Sequence, residues 1–193
     1  GANHLIVIRT YKDFHSDTGI NSNIGSRIEK IANYIQEPNF LLLNGDAIFD
    51  FNLGKIVNHH CKKKYAVTFL SGEVTYQYGS IGMRKNKVID FSRNLVFDKL
   101  STKGNKNYIA YNYTGISVIN TQILKKYKSS FKKSDNFEQT FYPKIIKKFL
   151  TKLIQINGFW HSIDNLKDLL IVDKKQKKDD KYFKLKKLKN LLN

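Results

Sequence analysis

Apolar residues recur along this chain with two different spacings, and their alternation predicts a mixed fold of strands and helices. Segments rich in apolar residues at 5–10, 40–43 and 65–70 predict strands, and the unbroken apolar run at 40–43 is typical of a strand buried on both faces, as in a parallel sheet. Apolar positions three and four residues apart predict a helix over residues 27–36, and a second helix begins at Asn52. The first third of the chain therefore alternates strand, helix, strand, helix and strand.

The rest of the chain contains shorter predicted strands before the helical pattern returns. In chain order the predicted segments are strands over residues 74–78, 80–84, 87–91 and 108–118, helices over 122–128 and 135–148, strands over 153–156 and 159–163, and a helix over 165–175. Together these elements predict an α/β fold with a mostly parallel central sheet and a mixed β insertion. Residues 1–175 form one predicted domain, and the lysine-rich residues 176–193 form a C-terminal helix or tail.

The composition excludes two classes of protein. The chain has 193 residues, 41% of them hydrophobic, and its apolar runs are far shorter than the roughly 20 residues that a membrane span requires. The single cysteine, Cys61, rules out a framework of disulfides and fits a reducing compartment. Because the printed sequence does not open with a secretory leader pattern, we expect a cytoplasmic protein without a membrane partner.

The chain is strongly basic. Its 34 lysine and arginine residues outnumber its 16 aspartate and glutamate residues, and the formal net charge of +18 suggests an anionic partner such as a phosphorylated ligand or a nucleic acid. Only four of the basic residues are arginine, the residue that binds bases and phosphates with a bidentate fork. We therefore do not expect nucleic acid as the partner, and a basic module that binds nucleic acid or another polyanion stays open as an alternative function.

Two aspartates follow predicted strands, at the positions where open α/β sheets bind ligands. Asp46 comes shortly after the buried run at 40–43, and Asp164 ends the strand over 159–163. Mg²⁺ prefers one or two carboxylates together with the phosphates of a substrate, so these aspartates, from distant parts of the chain, are candidate ligands of one Mg²⁺ ion. The alternatives are that Asp46 stabilises a turn and that Asp164 is the N-cap of the following helix.

A polar segment before the first predicted helix is a candidate anion site. Ser22, Gly25 and Arg27 belong to a short loop that opens this helix, where backbone N–H groups attract anions and the Arg27 guanidinium adds a positive charge. The phosphate-binding pattern G-x-x-x-x-G-K-[ST] is absent from the sequence. An ordinary capped helix is the alternative.

Seven short motifs occur in one order within residues 5–175. They are D-T-G at 17–19, G-S-R-I at 25–28, F-L-L-L-N-G-D at 40–46, Y-G at 78–79, T-G at 114–115, F-E-Q at 137–139, and G-F-W at 158–160 followed by Asp164, Lys167 and Asp168. In this order they resemble the sugar-1-phosphate nucleotidyltransferases, most closely the glucose-1-phosphate cytidylyltransferases. The resemblance implies a Rossmann-like nucleotidyltransferase fold.

The same resemblance implies an enzyme, its reaction and its site residues. The implied reaction is nucleotidyl transfer from a nucleoside triphosphate, with CTP favoured, to a hexose 1-phosphate, giving a nucleotide-sugar for polysaccharide biosynthesis and pyrophosphate. Asp46 and Asp164 are implied to be the catalytic carboxylates that bind the cofactor, Mg²⁺. The residues implied to contact the nucleotide are Ser22, Gly25, Arg27 and Asp46, and those implied to line the sugar-phosphate side are Gly79, Arg93, Tyr113 and Gly115.

One part of the family's pattern is absent from this sequence, namely the Gly-rich loop G-G-x-G-T-R and the lysine that follows it. The chain therefore resembles the C-terminal two-thirds of the family's domain. We expect it to have little or no activity alone and the full-length protein to form a homo-oligomer. A non-catalytic partner subunit of an active homologue is a further alternative.

Overall fold

The computed structural model of the chain describes residues 4–8, 13–17, 23–103, 108–128 and 136–178. Within these ranges the strands are β1 (His4–Ile8), β2 (Asp13–Asp17), β3 (Asn39–Leu43), β4 (Ala47–Asp50), β5 (Val67–Gly72), β6 (Val74–Arg84), β7 (Lys87–Phe97), β8 (Lys99–Ser101), β9 (Ile109–Asn120), β10 (Thr151–Gln155) and β11 (Phe159–Ser162). The helices are α1 (Ile24–Ile31), α2 (Leu53–Lys63), α3 (Thr121–Tyr127), α4 (Phe137–Lys148) and α5 (Leu166–Lys178), and a 3₁₀ helix, Ala32–Tyr34, follows α1. Most of the predicted C-terminal helix or tail, residues 179–193, lies outside the described residues.

The central sheet is mixed and has the strand order β10-β5-β9-β3, with the short β8 paired to β9. β10 and β5 are parallel, whereas β9 is antiparallel to both β5 and β3. β3, β5 and β10 therefore run in one direction and β9 in the other. This topology confirms the predicted α/β fold. It differs from the prediction at residues 40–43, because β3 pairs with the antiparallel β9 and not with a parallel strand.

The mixed β insertion is present in part. The strands predicted over 74–78 and 80–84 are the single strand β6 and the strand predicted over 87–91 lies in β7, whereas the strand predicted over 108–118 lies in β9 of the central sheet and no predicted strand covers β8. β6 and β7 form a long antiparallel ribbon that follows directly on β5. The turn between them contains Lys85, whose φ of 52° lies in the left-handed region. Apolar side chains on this ribbon are largely exposed, among them Tyr78 and Phe91, which are 70% and 68% exposed. Among the described residues, the ribbon is therefore an extension of the fold and not part of its core.

Hydrophobic clusters cover both faces of the central sheet. On one face α1, α3 and α4 pack together, and Phe137, Phe141 and Ile145 of α4 are completely buried there. On the other face Ile56 of α2 packs in one cluster with Leu70 of β5, and residues of β4 and β11 lie around them. Since each buried side chain of this kind contributes about 1.5–3 kcal/mol, the two faces together hold the sheet between its covering layers.

Each of the five described helices begins after an asparagine. The side chain of each of these asparagines accepts a hydrogen bond from a backbone N–H group of the first turn. The five N-cap residues are Asn23, Asn52, Asn120, Asn136 and Asn165. Asparagine is among the best N-caps, so the high asparagine content has a local structural use. One of these caps accounts for a difference from the prediction. The helix predicted over residues 27–36 begins earlier, at Ile24, because Asn23 is its N-cap. In the described part of the chain, none of the helices has the length and apolar character needed to cross a membrane.

A histidine is completely buried between α2 and the sheet. His60 Nε2 lies 3.1 Å from Asn39 Oδ1, and His60 Nδ1 lies 2.8 Å from Thr68 Oγ1. Because a carboxamide oxygen only accepts, Nε2 is the protonated nitrogen and donates to Asn39, while Nδ1 accepts from the Thr68 hydroxyl. Burial lowers the pKa of His60 below its ordinary value of 6.5. The neutral imidazole is thus the form that this site stabilises.

This burial predicts a pH dependence of stability. A group whose pKa is lower in the folded state takes up a proton on unfolding, so the free energy of unfolding should fall as the pH falls below 6.5. One such group contributes a slope of at most about 1.4 kcal/mol per pH unit. We expect His60→Gln to reduce the slope between pH 7 and pH 5, measured by urea unfolding at a series of pH values. An equal slope in the variant would assign the pH dependence to other groups.

Candidate active site

The carboxyl ends of the parallel strands lie along one edge of the central sheet, where open α/β sheets bind ligands. At this edge β3, β5 and β10 end and the antiparallel β9 begins. A tight turn of Asn44, Gly45 and Asp46 follows β3 directly and leads into β4. The first predicted carboxylate therefore lies just beyond this edge, on an exposed turn.

The two predicted carboxylates lie on adjoining segments of backbone. β4 pairs with β11 in an antiparallel ladder in which Ala47 faces Ser162. The ladder is extended by a hydrogen bond of 2.8 Å from the Ile163 N–H to the Asp46 carbonyl oxygen. Asp164 is the next residue after Ile163, and both aspartates are exposed. The fold thus brings two distant parts of the sequence together at this edge.

The chemistry of this pair fits one kind of metal ion. Among the described residues there is no group of three or more His, Cys, Asp or Glu side chains that would form an all-protein metal cage. Mg²⁺ does not require such a cage, because it keeps several waters and binds one or two carboxylates together with substrate phosphates. Asp46 and Asp164 are therefore suited to Mg²⁺ that arrives with a phosphorylated substrate.

The loop that contains Asp164 is fixed by the start of α5. Asn165 is the N-cap, because its Oδ1 accepts hydrogen bonds from the N–H groups of Lys167 and Asp168. Asp168 reaches back, and its Oδ2 accepts from the N–H groups of Asp164 and Asn165 at 3.1 and 3.2 Å. The alternative that Asp164 caps this helix is therefore wrong. Its carboxylate instead accepts a hydrogen bond from the Ser162 hydroxyl at 3.3 Å.

The Thr114-Gly115 motif ties three strands together at the same edge. The Thr114 hydroxyl donates to the Leu70 carbonyl of β5 at 3.0 Å, and Trp160 Nε1 of β11 donates to the Thr114 carbonyl at 3.0 Å. Gly72 lies next to both side chains, since a Cβ atom there would be 3.1 Å from Thr114 Cγ2 and 3.3 Å from Trp160 Cε3. The position of β11 relative to the sheet is therefore set partly by Trp160.

Gly115 itself supports the turn that contains Asp46. Its φ of 74° lies in the left-handed region, and its carbonyl accepts a hydrogen bond from the Asn44 N–H at 3.0 Å. The side chain of Asn44 covers Gly115 so closely that a Cβ atom there would lie 2.5 Å from Asn44 Nδ2. Glycine is therefore required at this position by both the backbone conformation and the available space. The sugar-side role implied for Gly115 stays a prediction.

The predicted anion site at the start of α1 is described only in part. Ser22 lies outside the described residues. Gly25 is buried in the first turn of α1, and Arg27 is half-buried in the same turn, with its N–H donating to the Asn23 carbonyl at 3.0 Å. The segment expected to be an open loop is thus already helical at Gly25. The nucleotide contacts implied for Ser22, Gly25 and Arg27 stay predictions.

Two of the implied sugar-side residues face each other on the β6–β7 ribbon. Gly79 pairs with Arg93, and both residues are exposed. A Cβ atom at Gly79 would lie 2.7 Å from the ring of Phe91, which covers this glycine. The ribbon therefore offers one exposed guanidinium next to a position without a side chain, and its role toward a sugar phosphate stays a prediction.

Tyr113, the remaining implied sugar-side residue, packs into the face of the sheet that α1, α3 and α4 cover. Its hydroxyl lies 3.0 Å from that of Tyr142, whose hydroxyl also lies 2.8 Å from Ser117 Oγ, and its ring contacts Phe69 edge-on. Burial raises the pKa of Tyr113 and raises that of Tyr142 well above its usual value. Both phenols are therefore neutral hydrogen-bonding groups, and the structure gives Tyr113 a packing role whatever its role toward a sugar.

Sequence reasoning alone gives no role to two polar residues at this edge, Asp168, which belongs to the last of the seven motifs, and Asn112. Asp168 stands three residues after the N-cap Asn165, and this spacing is the only local feature that predicts hydrogen bonds from Asp168 to the preceding loop. Asn112 faces Gly72 across the β5–β9 pair, and its Nδ2 is buried without a hydrogen-bond partner among the described residues. Its place follows from strand register, which a single sequence does not reveal.

Comparison with known proteins supports the resemblance. No protein-family model matches the sequence. Over 167 residues, 86% of the chain, it is 26% identical to a Bacillus subtilis (strain 168) protein named "Probable glucose-1-phosphate cytidylyltransferase", and it spans 60% of that protein's length. The fold matches a Bacillus anthracis crystal structure, assigned as a glucose-1-phosphate thymidylyltransferase in complex with a sucrose, with a TM-score of 0.60 and 13% identity over 83% of this chain and 63% of that one.

A second match has the same fold at similarly low identity. HddC from Yersinia pseudotuberculosis, complexed with GMP-PN, gives a TM-score of 0.53 and 19% identity over 79% of this chain and 62% of that chain. At these identities the structural matches establish the fold, and the sequence match to the cytidylyltransferase agrees with it. The chain is therefore similar in sequence to a protein named as a sugar-1-phosphate nucleotidyltransferase, and it has the mixed α/β fold of the matched structures.

Proposed function

We propose that this chain takes part in nucleotidyl transfer from a nucleoside triphosphate to a sugar 1-phosphate, with Asp46 and Asp164 as the ligands of Mg²⁺. The observation that supports the proposal best is the hydrogen bond between the Ile163 N–H and the Asp46 carbonyl, which joins the two carboxylate-bearing segments beyond the strand ends. The relative at 26% identity is named for such a reaction. The chain spans 60% of the length of that relative. We therefore propose that residues other than those described above also contact the nucleoside triphosphate and the sugar 1-phosphate.

The proposed chemistry depends on positioning and charge neutralisation. An oxygen of the sugar 1-phosphate attacks the α-phosphorus of the triphosphate in line, a new P–O bond forms, and the bond to the leaving pyrophosphate breaks. Asp46 and Asp164 would hold Mg²⁺, which when bound would supply positive charge to the phosphates. Asp46 and Asp164 hold and orient the metal–phosphate unit, and the guanidinium groups of Arg27 and Arg93 are candidates to offset the remaining negative charge.

We propose CTP as the preferred nucleotide and a glucose-type hexose 1-phosphate as the acceptor. The support for CTP is the name of the relative at 26% identity, while the related fold from Bacillus anthracis is named for thymidylyl transfer. A comparison of CTP, dTTP, UTP, GTP and ATP at equal concentration distinguishes these bases. Equal or faster turnover with dTTP would overturn the preference for CTP without affecting the reaction class. We also propose that the full-length protein is a cytoplasmic homo-oligomer.

The reaction class is tested by removing the carboxylates. We expect Asp46→Asn and Asp164→Asn each to lower the rate of pyrophosphate release from CTP and glucose 1-phosphate by about 100-fold or more, because each removes one negative metal ligand. The assay is run on the printed chain and on the longest product that its gene encodes.

A matched substitution controls for the change of charge. Asp98→Asn alters an exposed aspartate outside the proposed metal site and should leave the rate unchanged. Thermal unfolding followed by circular dichroism checks that all three variants are folded. Full turnover in the folded Asp46→Asn and Asp164→Asn variants would contradict the proposed metal site. If the longest product of the gene showed no Mg²⁺-dependent turnover with any nucleotide, the reaction class would be contradicted.

A further inference from the structure

We propose that Asp168 is a positioning residue that holds Asp164 in place for metal binding. This inference rests on the proposed function, because it concerns the geometry of one of the two proposed Mg²⁺ ligands. It goes further by assigning a role to a buried carboxylate that is not itself a proposed metal ligand. Asp168 is only 6% exposed, although it lies in the first turn of a helix.

The hydrogen bonds of Asp168 point at the loop that precedes α5. A helix-capping carboxylate at this position ordinarily accepts from the N–H of the cap residue, here Asn165. Asp168 Oδ2 also accepts from the N–H of Asp164, one residue before the cap, at 3.1 Å. Both hydrogen bonds are charge-assisted, which makes each about twice as strong as a neutral one. The backbone of Asp164 is therefore fixed from the helix.

The other oxygen of Asp168 is directed toward β11. His161 Nε2 lies 3.9 Å from Asp168 Oδ1, and His161 pairs with Ile48 across the β4–β11 ladder. β4 begins directly after Asp46. Asp168 thus connects α5, the Asp164 loop and the ladder that leads to the second proposed ligand. Residues that orient a metal ligand in this way typically change metal affinity by about 10–100-fold when they are removed.

A purely structural role makes a different prediction. If Asp168 only caps α5, its loss should lower stability by about 1 kcal/mol and leave metal affinity unchanged. Asn136 provides the matched comparison, because its Oδ1 likewise accepts from two backbone N–H groups at the start of a helix, those of Glu138 and Gln139. Asn136→Ala therefore reproduces the loss of a cap in a helix away from the proposed metal site.

The experiment measures metal binding directly and does not depend on turnover. Trp160 is the only tryptophan in the sequence and lies four residues before Asp164, so excitation of tryptophan should sensitise Tb³⁺ luminescence at the site. In the presence of CTP, we expect Asp168→Ala to weaken Tb³⁺ binding at least 10-fold and Asn136→Ala by less than about twofold. Asp168→Asn, which keeps an oxygen acceptor for both N–H groups, should recover most of the affinity.

Each outcome bears on a definite statement. Tb³⁺ affinity equal to wild type in Asp168→Ala would overturn the positioning role and leave the proposed function intact. Equal weakening in Asn136→Ala would overturn it as well, since any lost cap would then suffice. If Asp168→Ala is unfolded by circular dichroism, the comparison rests on Asp168→Asn, where a 10-fold loss would overturn the assignment of Asp168 as a hydrogen-bond acceptor. Both proposals would be overturned if the wild-type protein gave no sensitised Tb³⁺ signal, or if Asp46→Asn left that signal unchanged.

Discussion

Replacing Gly158 by alanine should destabilise the fold by about 3 kcal/mol. Gly158 precedes β11 and has a φ of 148°, which L-residues with a side chain rarely adopt. A Cβ atom there would collide with the carbonyl oxygen of Asp50, a backbone atom that cannot rotate away, and would lie 3.1 Å from Phe51 Cβ. Since Asp50 faces Phe159 in the β4–β11 ladder, the clash must separate these strands at their first pair. Urea unfolding of wild type and variant measures the difference.

The site gives this prediction a second readout. β11 leads through Ile163 to Asp164, so a displaced strand should also weaken metal binding, measured by Tb³⁺ luminescence under folding conditions. Gly45→Ala is the matched control, because no atom lies within 4 Å of the position of its Cβ atom. We expect Gly45→Ala to change the free energy of unfolding by less than about 0.5 kcal/mol. A loss of the same size in both variants would show that the Asp50 carbonyl is not the cause.

The fold class follows from the sequence because local periodicity determines most of its elements. The apolar face of α1 and the unbroken run in β3 each fix an element without knowledge of the rest of the chain. Strand order does not follow in this way. β9 enters between β3 and β5 through contacts between residues far apart in sequence, such as Leu41 with Val118. Since β9 and a parallel strand have the same alternation of side chains, periodicity alone does not distinguish their directions.

The candidate site shows the same division between local and long-range information. Asp46 is predictable because it comes shortly after an apolar strand, which is a local feature. The pairing of Asp46 with the Ile163 segment depends on the β4–β11 ladder, which the positions of Asp46 and Asp164 after predicted strands suggest but do not determine. The cap of α5 is a finer case. Asp164 and Asn165 are adjacent and both are good N-caps, so backbone geometry and the hydrogen bonds to Asp168 decide between them.

Gly115→Ala should lower the free energy of unfolding by about 2–5 kcal/mol, and the loss should depend on Asn44. Two costs add at this position. A side chain at a φ of 74° costs about 1–2 kcal/mol, and the contact of 2.5 Å with Asn44 Nδ2 costs a further 1–3 kcal/mol, roughly, because Asn44 must move. In an Asn44→Ala background the contacts with Asn44 Nδ2 and Cγ are gone, so the first cost remains together with the smaller contact of 2.9 Å with the Cβ atom of residue 44. A double-mutant cycle in urea should therefore give a coupling energy of about 1–2 kcal/mol between the two positions.

This coupling also links stability to the site. Asn44 begins the turn that contains Asp46, and its N–H is held by the Gly115 carbonyl. When Gly115→Ala displaces the Asn44 side chain, the turn should shift and Tb³⁺ affinity should fall, whereas the double variant should recover part of the affinity because the contacts with Nδ2 and Cγ of Asn44 are gone. The four proteins of the cycle are the wild type, Gly115→Ala, Asn44→Ala and the double variant. If the free energy of unfolding and the Tb³⁺ affinity fall and recover together across them, the Thr114-Gly115 motif acts through the turn. Affinity that stays low in the double variant would instead assign Gly115 a direct role at the ligand, because its backbone would then matter independently of Asn44.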